Sequence, residues 1–399
     1  MSVFTPSRRW QPAFYPFKKE RFGRRFLAKT ELFLKGPLFG CRMYGNCLLQ
    51  ETAFICPMEC PKGMRNGHCG GITPSKNCYI DESRKCIWYC IYKWSEKMGR
   101  EEMLLEVLPP LDWEKVGTET WSDVVRQIRK AGTTKFIKDI FSKDKLKKSK
   151  TWDSVFKTIR QPDWWQGDSD HHAPGYQRSV SEFEKRLRSG EFVIATEVTP
   201  PLSANTEKLS KDIESVKPYV TAINYTDSSY ARPRMSSIVC NKVALDHDVE
   251  PVLQIAARDT TRIGLQAEII GVNELGVFNV LCLSGDSARV GPSPRSNMTL
   301  LDIDSVQMLW LLRRMRDEGI YLDGRKMKNP PKLFLDAASP PFASDPALQA
   351  LRDHKKVNAG AHFYRPILSL MFMDLTYGWN NLINGRFSIK YISLLVLLL

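Results

Sequence analysis

Eight of the ten cysteines in this 399-residue chain lie within one stretch of fifty, at Cys41, Cys47, Cys56, Cys60, Cys69, Cys78, Cys86 and Cys90, around the string CPMECPKGMRNGHCGG. Thiols packed so densely must be ligated, bridged or kept reduced. The rest of the chain holds only Cys240 and Cys282, both in apolar surroundings, so the demand is local and belongs to one small module. That module, rich in Gly, Pro and Asn, cannot bury a useful apolar core, and bound metal would have to supply its order.

The opening of the chain interrupts every apolar stretch with charge, which leaves no signal-peptide core, and the reading is a cytoplasmic protein. Disulfides do not persist in a reducing compartment, so clustered thiols favour metal or iron-sulfur ligation over bridges. The formal charge of +14 permits nucleic acid as a partner, but the excess sits between Lys18 and Lys29 and at 142–150, without the interleaved aromatic residues of a single-strand binder. Those runs read as solvated faces or linker, and no nucleic-acid partner is expected. The C-terminal SLLVLLL gives about nine apolar residues from Tyr391, too few for the ~20 that a membrane span needs.

Five segments follow along the sequence: a basic leader (1–33), the cysteine-rich module (34–93), a helical segment with linker (94–180), an alternating segment (181–364) and an atypical tail (365–399). In the fourth, strand patterns at 192–198, 219–225, 251–255, 277–283, 332–336 and 360–364 alternate with helical patterns at 207–216, 236–246, 261–275, 305–318 and 346–357. Nearly continuous apolar strands separated by helices imply an α/β fold with a parallel sheet, either a barrel or a doubly wound sheet. A barrel does its chemistry at the C-terminal ends of its strands. Those ends carry Glu197 before Thr-Pro-Pro, Asn224 to Asp227, Gln254 with Arg258 and Asp259, Ser284-Gly285-Asp286, and Ser339-Pro340-Pro341.

These residues resemble the methylenetetrahydrofolate reductase family of FAD-dependent barrels. ATEVTPP looks like the family's Glu-x-x-Pro-Pro, INYTD like its flavin-contacting strand end, NVLCLSGD like its Leu-x-Gly-Asp, and KKVNAGAHF like its Lys-Val-x-Ala-Gly-Ala. Four motifs in order over about 175 residues make the match specific. The cysteine module resembles the cysteine-rich domain that accompanies such reductases in acetogens, down to the CPMxCPKxxRNGxCGG core and the downstream Cys86-x-Trp88. The fold implied is a TIM-type (β/α)8 barrel, here truncated to about six strands, with the cysteine module in front.

The resemblance implies reduction of 5,10-methylenetetrahydrofolate to 5-methyltetrahydrofolate, a step toward methionine, with electrons from NAD(P)H or a ferredoxin-type donor relayed through the cysteine module. It assigns Glu197 as the acid that protonates the leaving folate nitrogen, and burial beside Pro200 and Pro201 is expected to raise its pKa. It sets Asp286 beside the flavin ring, with Gly285 allowing close backbone approach. Asn224, Tyr225 and Gln254 match flavin-contacting positions, although the family often has Thr and His where Asn224 and Gln254 stand. Lys355 and Lys356 match the basic residues that meet the FAD diphosphate. Arg258 and Asp259 read as a structural pair.

For the eight cysteines, two four-ligand sites suit either a 4Fe–4S cluster or zinc, since Cys56-x3-Cys60 and Cys86-x3-Cys90 are wide for ferredoxin runs and acceptable to tetrahedral zinc. Tyr44 stands where related modules often carry another cysteine. A full barrel takes about 250 residues and eight strands, whereas 209 residues run from Glu191 to Leu399. After Tyr364 the expected Thr-Gln gives way to Arg365, Pro366 and Ile367, so the tail is expected to be aberrant. An open barrel edge would call for a second copy or a partner subunit. The alternative function is a non-catalytic electron-transfer or assembly subunit, or an inactive truncated reductase.

Overall fold

The computed structural model describes residues 22–141, 164–165, 167–293, 301–340, 343–366 and 394–398. The first part of the leader, the basic run at 142–150, the helical pattern beyond it and most of the tail lie outside the described residues. The chain divides into two compact units. One gathers residues 1–65, 87–104 and 108–168, and the other residues 66–86, 105–107 and 169–399.

In the first unit, α1 (Phe22–Phe39) continues from the basic leader to the edge of the cysteines, and α2 (Ile87–Met98) carries Cys90. Two shorter helices follow, α3 (Trp121–Ala131) and α4 (Thr133–Ile140), separated by Gly132 at φ 86°. The CPMEC segment is pinned by charge: the buried Arg42 guanidinium pairs with the Glu59 carboxylate, and Arg65 Nε donates to the Pro109 carbonyl at 3.0 Å.

The second unit opens with the other part of the cysteine stretch, where β1 (Asn77–Cys78) and β2 (Asp81–Lys85) pair as a short antiparallel hairpin. Its main body begins at α5 (Glu182–Ser189). Ser181 caps that helix by accepting from the Glu184 N–H, and Gly190 ends it in the left-handed conformation. Then strand and helix alternate: β3 (Val193–Val198), α6 (Glu207–Val216), β4 (Ala222–Tyr225), α7 (Ser237–Asp246), β5 (Glu250–Ala256), α8 (Arg262–Glu274), β6 (Asn279–Leu283), α9 (Ser305–Asp317), β7 (Phe334–Ser339), α10 (Pro346–Ala359) and β8 (Phe363–Pro366). All six strands are parallel and lie side by side in chain order, the curled half-barrel of a truncated TIM-type fold.

A seventh strand, β9 (Leu394–Leu398), comes from the tail and pairs in parallel with the outer edge of β3, Val193 opposite Leu394 through Glu197 opposite Leu398. It also approaches β8, so the sheet curls back toward its own far edge. The edge expected to stand open at β3 is therefore covered by the chain itself.

The pleat sorts the strand residues. Val193, Ala195, Ala222, Val252, Leu281, Phe334 and Phe363 share the inner face, and α5 plugs it with Phe183 and Leu187. Phe183 stands edge-on to Phe363 at 5.4 Å and to Phe334 at 6.3 Å, while Phe334 and Phe363 stack at 4.5 Å. Ile223, Tyr225 and Val198 face the other way, against Leu209 and Ile213 of α6 and Cys240 and Ala244 of α7. Beyond the apolar layer, the next inner-face positions are Glu197, Asn224, Gln254, Leu283 and Asp336, so the inner face turns polar toward the carboxyl ends.

Candidate active site

Strand register brings the predicted acid together with two of the predicted contacts. Glu197 is opposite Asn224 across the β3–β4 ladder. The Asn224 Nδ2 donates to Glu197 Oε2 at 2.8 Å, and Gln254 Nε2, one strand further, donates to the same oxygen at 3.1 Å. Asn224 is fully buried, and its own Oδ1 is a buried acceptor with no hydrogen-bond partner.

A second group lies at the ends of β4, β5 and β6. Asp286 Oδ2 accepts the Tyr230 backbone N–H at 2.7 Å, and Asp227 Oδ2 accepts the Ala256 N–H at 2.8 Å. Arg258 joins the two ends: its Nη1 donates to the Asp286 carbonyl and its Nη2 to the Ser228 carbonyl, both at 3.2 Å, while Nε meets the Asp259 carboxylate at 2.9 Å. Burial works against the Arg258 charge, but the Asp259 hydrogen bonds and the Asp227 and Asp286 charges outweigh it and hold its pKa above the ordinary value. Asp227 is raised, chiefly by burial. Gly285 has φ 73°, and a Cβ there would lie 3.0 Å from Arg258 Cβ and 3.1 Å from Ala256 Cβ, so the position requires glycine for packing as well as for backbone. Ser228, Tyr230 and Ala231 all have positive φ, which marks the loop after β4 as strained.

The remaining predicted residues lie elsewhere. Tyr225 is buried with its phenol toward the helices, so only its backbone faces any ligand at the strand ends. Lys355 and Lys356 on α10 are each 1 % exposed. Lys356 donates to the Ala338 carbonyl and stands 3.6 Å from Asp353 Oδ1; burial and then the Arg352 charge lower its pKa to about 7. Sequence reasoning passed over Asp336, wholly buried on the inner face of β7, and Arg258, set aside as a local ion pair. The signal for Asp336 was available, since a carboxylate interrupts the apolar run of a barrel strand.

The eight cysteines are divided between the units, all as free thiols. Cys41, Cys47 and Cys56 line one pocket of the first unit with Lys35, Tyr44 and Glu31, and Cys60 and Cys90 belong to the same unit. Cys69, Cys78 and Cys86 belong to the second. Burial raises the Cys41 and Cys47 thiols and pushes Cys56 up to about 11. Burial opposes the Lys35 charge, but Cys47 and Glu31 beside it outweigh that and hold its ammonium above the usual lysine range. Among the described residues, no three His, Cys, Asp or Glu side chains are gathered as a metal-ligand set. Three thiols nevertheless line one pocket beside the Lys35 ammonium, and soft sulfur is the donor type that iron-sulfur or zinc would take. The unpartnered Oδ1 of Asn224 likewise fits a flavin or pterin, which would bring ring N–H donors.

Parallel strands that carry a carboxylate, gripped by amides of the neighbouring strands, at their carboxyl ends have the arrangement of a TIM-type half-barrel, the class of fold whose members place their chemistry at that rim. Residues 182–377 match the family model for methylenetetrahydrofolate reductase, and residues 24–114 match the domain described as methylene-tetrahydrofolate reductase C terminal. The chain thus carries a methylenetetrahydrofolate reductase family domain, with that second domain ahead of it in the same polypeptide. The family comprises oxidoreductases of folate metabolism, generally flavin-dependent. No curated protein matches the chain. No described helix is long and apolar enough to cross a membrane.

Proposed function

We propose that this chain reduces 5,10-methylenetetrahydrofolate to 5-methyltetrahydrofolate at the carboxyl ends of β3 to β6. The single observation that carries the reading is the convergence of Asn224 and Gln254 on one oxygen of Glu197 within a segment that matches the reductase family. A bound FAD would supply the hydride chemistry, and the protein then has to orient, to exclude water and to move one proton. With both amides donating to Oε2, the proton of an acidic Glu197 belongs on Oε1, which fixes the direction in which it is delivered to the folate nitrogen. Asp286, tied to the loop after β4, contributes negative charge at the rim, suited to steadying a cationic folate.

The buried Oδ1 of Asn224 is the acceptor for a ring N–H, and Gln254 completes the same wall. Lys355 and Lys356 keep their assignment to the dinucleotide phosphates by resemblance. The pocket lined by Cys41, Cys47 and Cys56 is the candidate for an iron-sulfur or zinc site, and the electron relay is assigned to the cysteine-rich module by resemblance. Glu197→Gln keeps the amide geometry but lacks the acid. It should lower folate reduction by about a hundredfold or more while reduction of the flavin by an artificial donor continues. Equal loss of both half-reactions would overturn the acid assignment.

A further inference from the structure

The cysteine stretch places one of its loops, Asn66 to Gly71, in the same unit as the barrel. Its anchors are specific. Asn66 Nδ2 donates to Asp304 Oδ2 at 3.1 Å, Lys76 Nζ reaches the Ser344 carbonyl, and the Ser287 N–H donates to the Tyr79 hydroxyl at 3.3 Å. These partners follow the carboxyl ends of β6 and β7, the end that carries Glu197.

Between the anchors the loop lies on Arg352 of α10. A Cβ at Gly67 would fall 3.5 Å from Arg352 Cγ, and one at Gly70 would fall 3.6 Å from its Nη1 and 4.0 Å from Pro340 Cγ. His68 is 3 % exposed and Arg352 is 6 % exposed. The His68 Nδ1 accepts the Gly70 N–H at 3.1 Å, which puts the imidazole proton on Nε2, and that Nε2 is buried with no partner. The Nε of Arg352 is likewise buried with no partner. The nearest carboxylates are already engaged: Asp353 accepts from Ser339 and Gln349, and Asp304 caps α9 while holding Asn66. Lys356, one turn along α10 from Arg352, adds a further buried basic group.

Two buried N–H donors aimed at no acceptor, one of them on a guanidinium, are costly in a chain that folds alone, and the cost is removed when an anion brings the acceptors. We infer that His68 and Arg352 form an anion-binding subsite under the Asn66–Gly71 loop, for a phosphate or diphosphate group. The cysteine-rich stretch thereby supplies part of a ligand pocket, beyond any part in metal binding. Gly67 at φ 123° and Gly70 at φ 92° flank the histidine and give the loop the backbone freedom to admit the group. The inference stands on the chain's own donors. It meets the flavin reading only if the phosphate is carried by a dinucleotide.

The test is the affinity of the full chain for inorganic pyrophosphate, measured calorimetrically for the parent, His68→Gln, Arg352→Gln and Arg352→Lys. The parent should bind, each Gln variant should weaken binding by about tenfold or more, and Arg352→Lys should recover part of the loss. A parent that does not bind, or Gln variants within about twofold of it, would overturn the subsite. If Arg352→Gln fails to fold, His68→Gln decides alone, because its Nε2 holds nothing in the fold. Competition between pyrophosphate and FAD would identify the carrier as the dinucleotide, and simultaneous binding would identify a free phosphate; both keep the subsite. FAD bound as well by His68→Gln and Arg352→Gln as by the parent, with pyrophosphate affinity unchanged, would remove the subsite and leave the flavin reading standing.

Discussion

Asn224 and Gln254 occupy positions where the family often carries Thr and His, and the structure gives the exchange a physical sense: both amides can donate to Glu197 while remaining uncharged. Glu197, Asn224 and Gln254 were legible in the sequence because a strand's two-residue period, once in register, puts them on one face. Tyr225 shows the limit of that reading, since the neighbour of an inward residue on a strand must point outward. His68 and Arg352 were illegible because their meeting depends on residues 284 apart in the chain. Lys356 yields a pH prediction. Its pKa is about 7 in the fold, against 10.5 for an ordinary lysine. Between those values the unfolded chain holds a proton that the folded chain has released, so this residue's contribution to stability improves as pH rises through the window and is least favourable below about 7. Compared with Lys356→Met, the parent should gain roughly 1 kcal/mol of unfolding free energy per pH unit from about pH 7 upward. A gap independent of pH would show that the buried ammonium does not titrate there.

Among the elements, all six barrel strands appear where the alternating pattern predicts them, but several start late. Pro218 sits in a 3-10 turn at Lys217–Tyr219, so β4 begins at Ala222. The Val277 N–H still bonds back to Val272 at the end of α8, which delays β6 to Asn279. Pro330 and Pro331 offer no N–H, and β7 begins at Phe334. Gly360 closes α10 at φ 120° before β8 can start. Such delays are set by the ends of helices, which an apolar count does not register. The helix α1 and the hairpin of β1 and β2 were not foreseen, because neither carries a strong periodic pattern. The short helix α5, ended by Gly190, matters through its packing: Phe183 is fully buried against Phe334 and Phe363 and closes the base of the sheet. Phe183→Ala should cost about 3–5 kcal/mol in denaturant unfolding. A loss below about 1 kcal/mol would mean that the inner face collapses around the gap without penalty.

At the scale of the molecule, the family match runs on to residue 377, past Tyr364 where the pattern was expected to break off, and residues 394–398 beyond it supply β9, whose five residues of parallel ladder cover the outer edge of β3. Deleting residues 391–399 should lower the thermal midpoint by about 5 °C or more and promote aggregation, both read from melts followed by light scattering; an unchanged melt would deny β9 that part. The sequence showed the apolar run at the end of the tail but could not foretell its use, since such a run carries no address for its partner strand. Neither compact unit is one continuous stretch of chain, and this bears on how the protein is made. The segment 66–86 leaves the ribosome long before the strands it rests on, and so must wait, thiols uncovered, while the rest is translated. A chaperone or an early-delivered metal would have its moment in that interval, and a ribosome that stopped short of β7 would release a polypeptide in which the segment 66–86 lacks the Ser344 anchor of its Lys76.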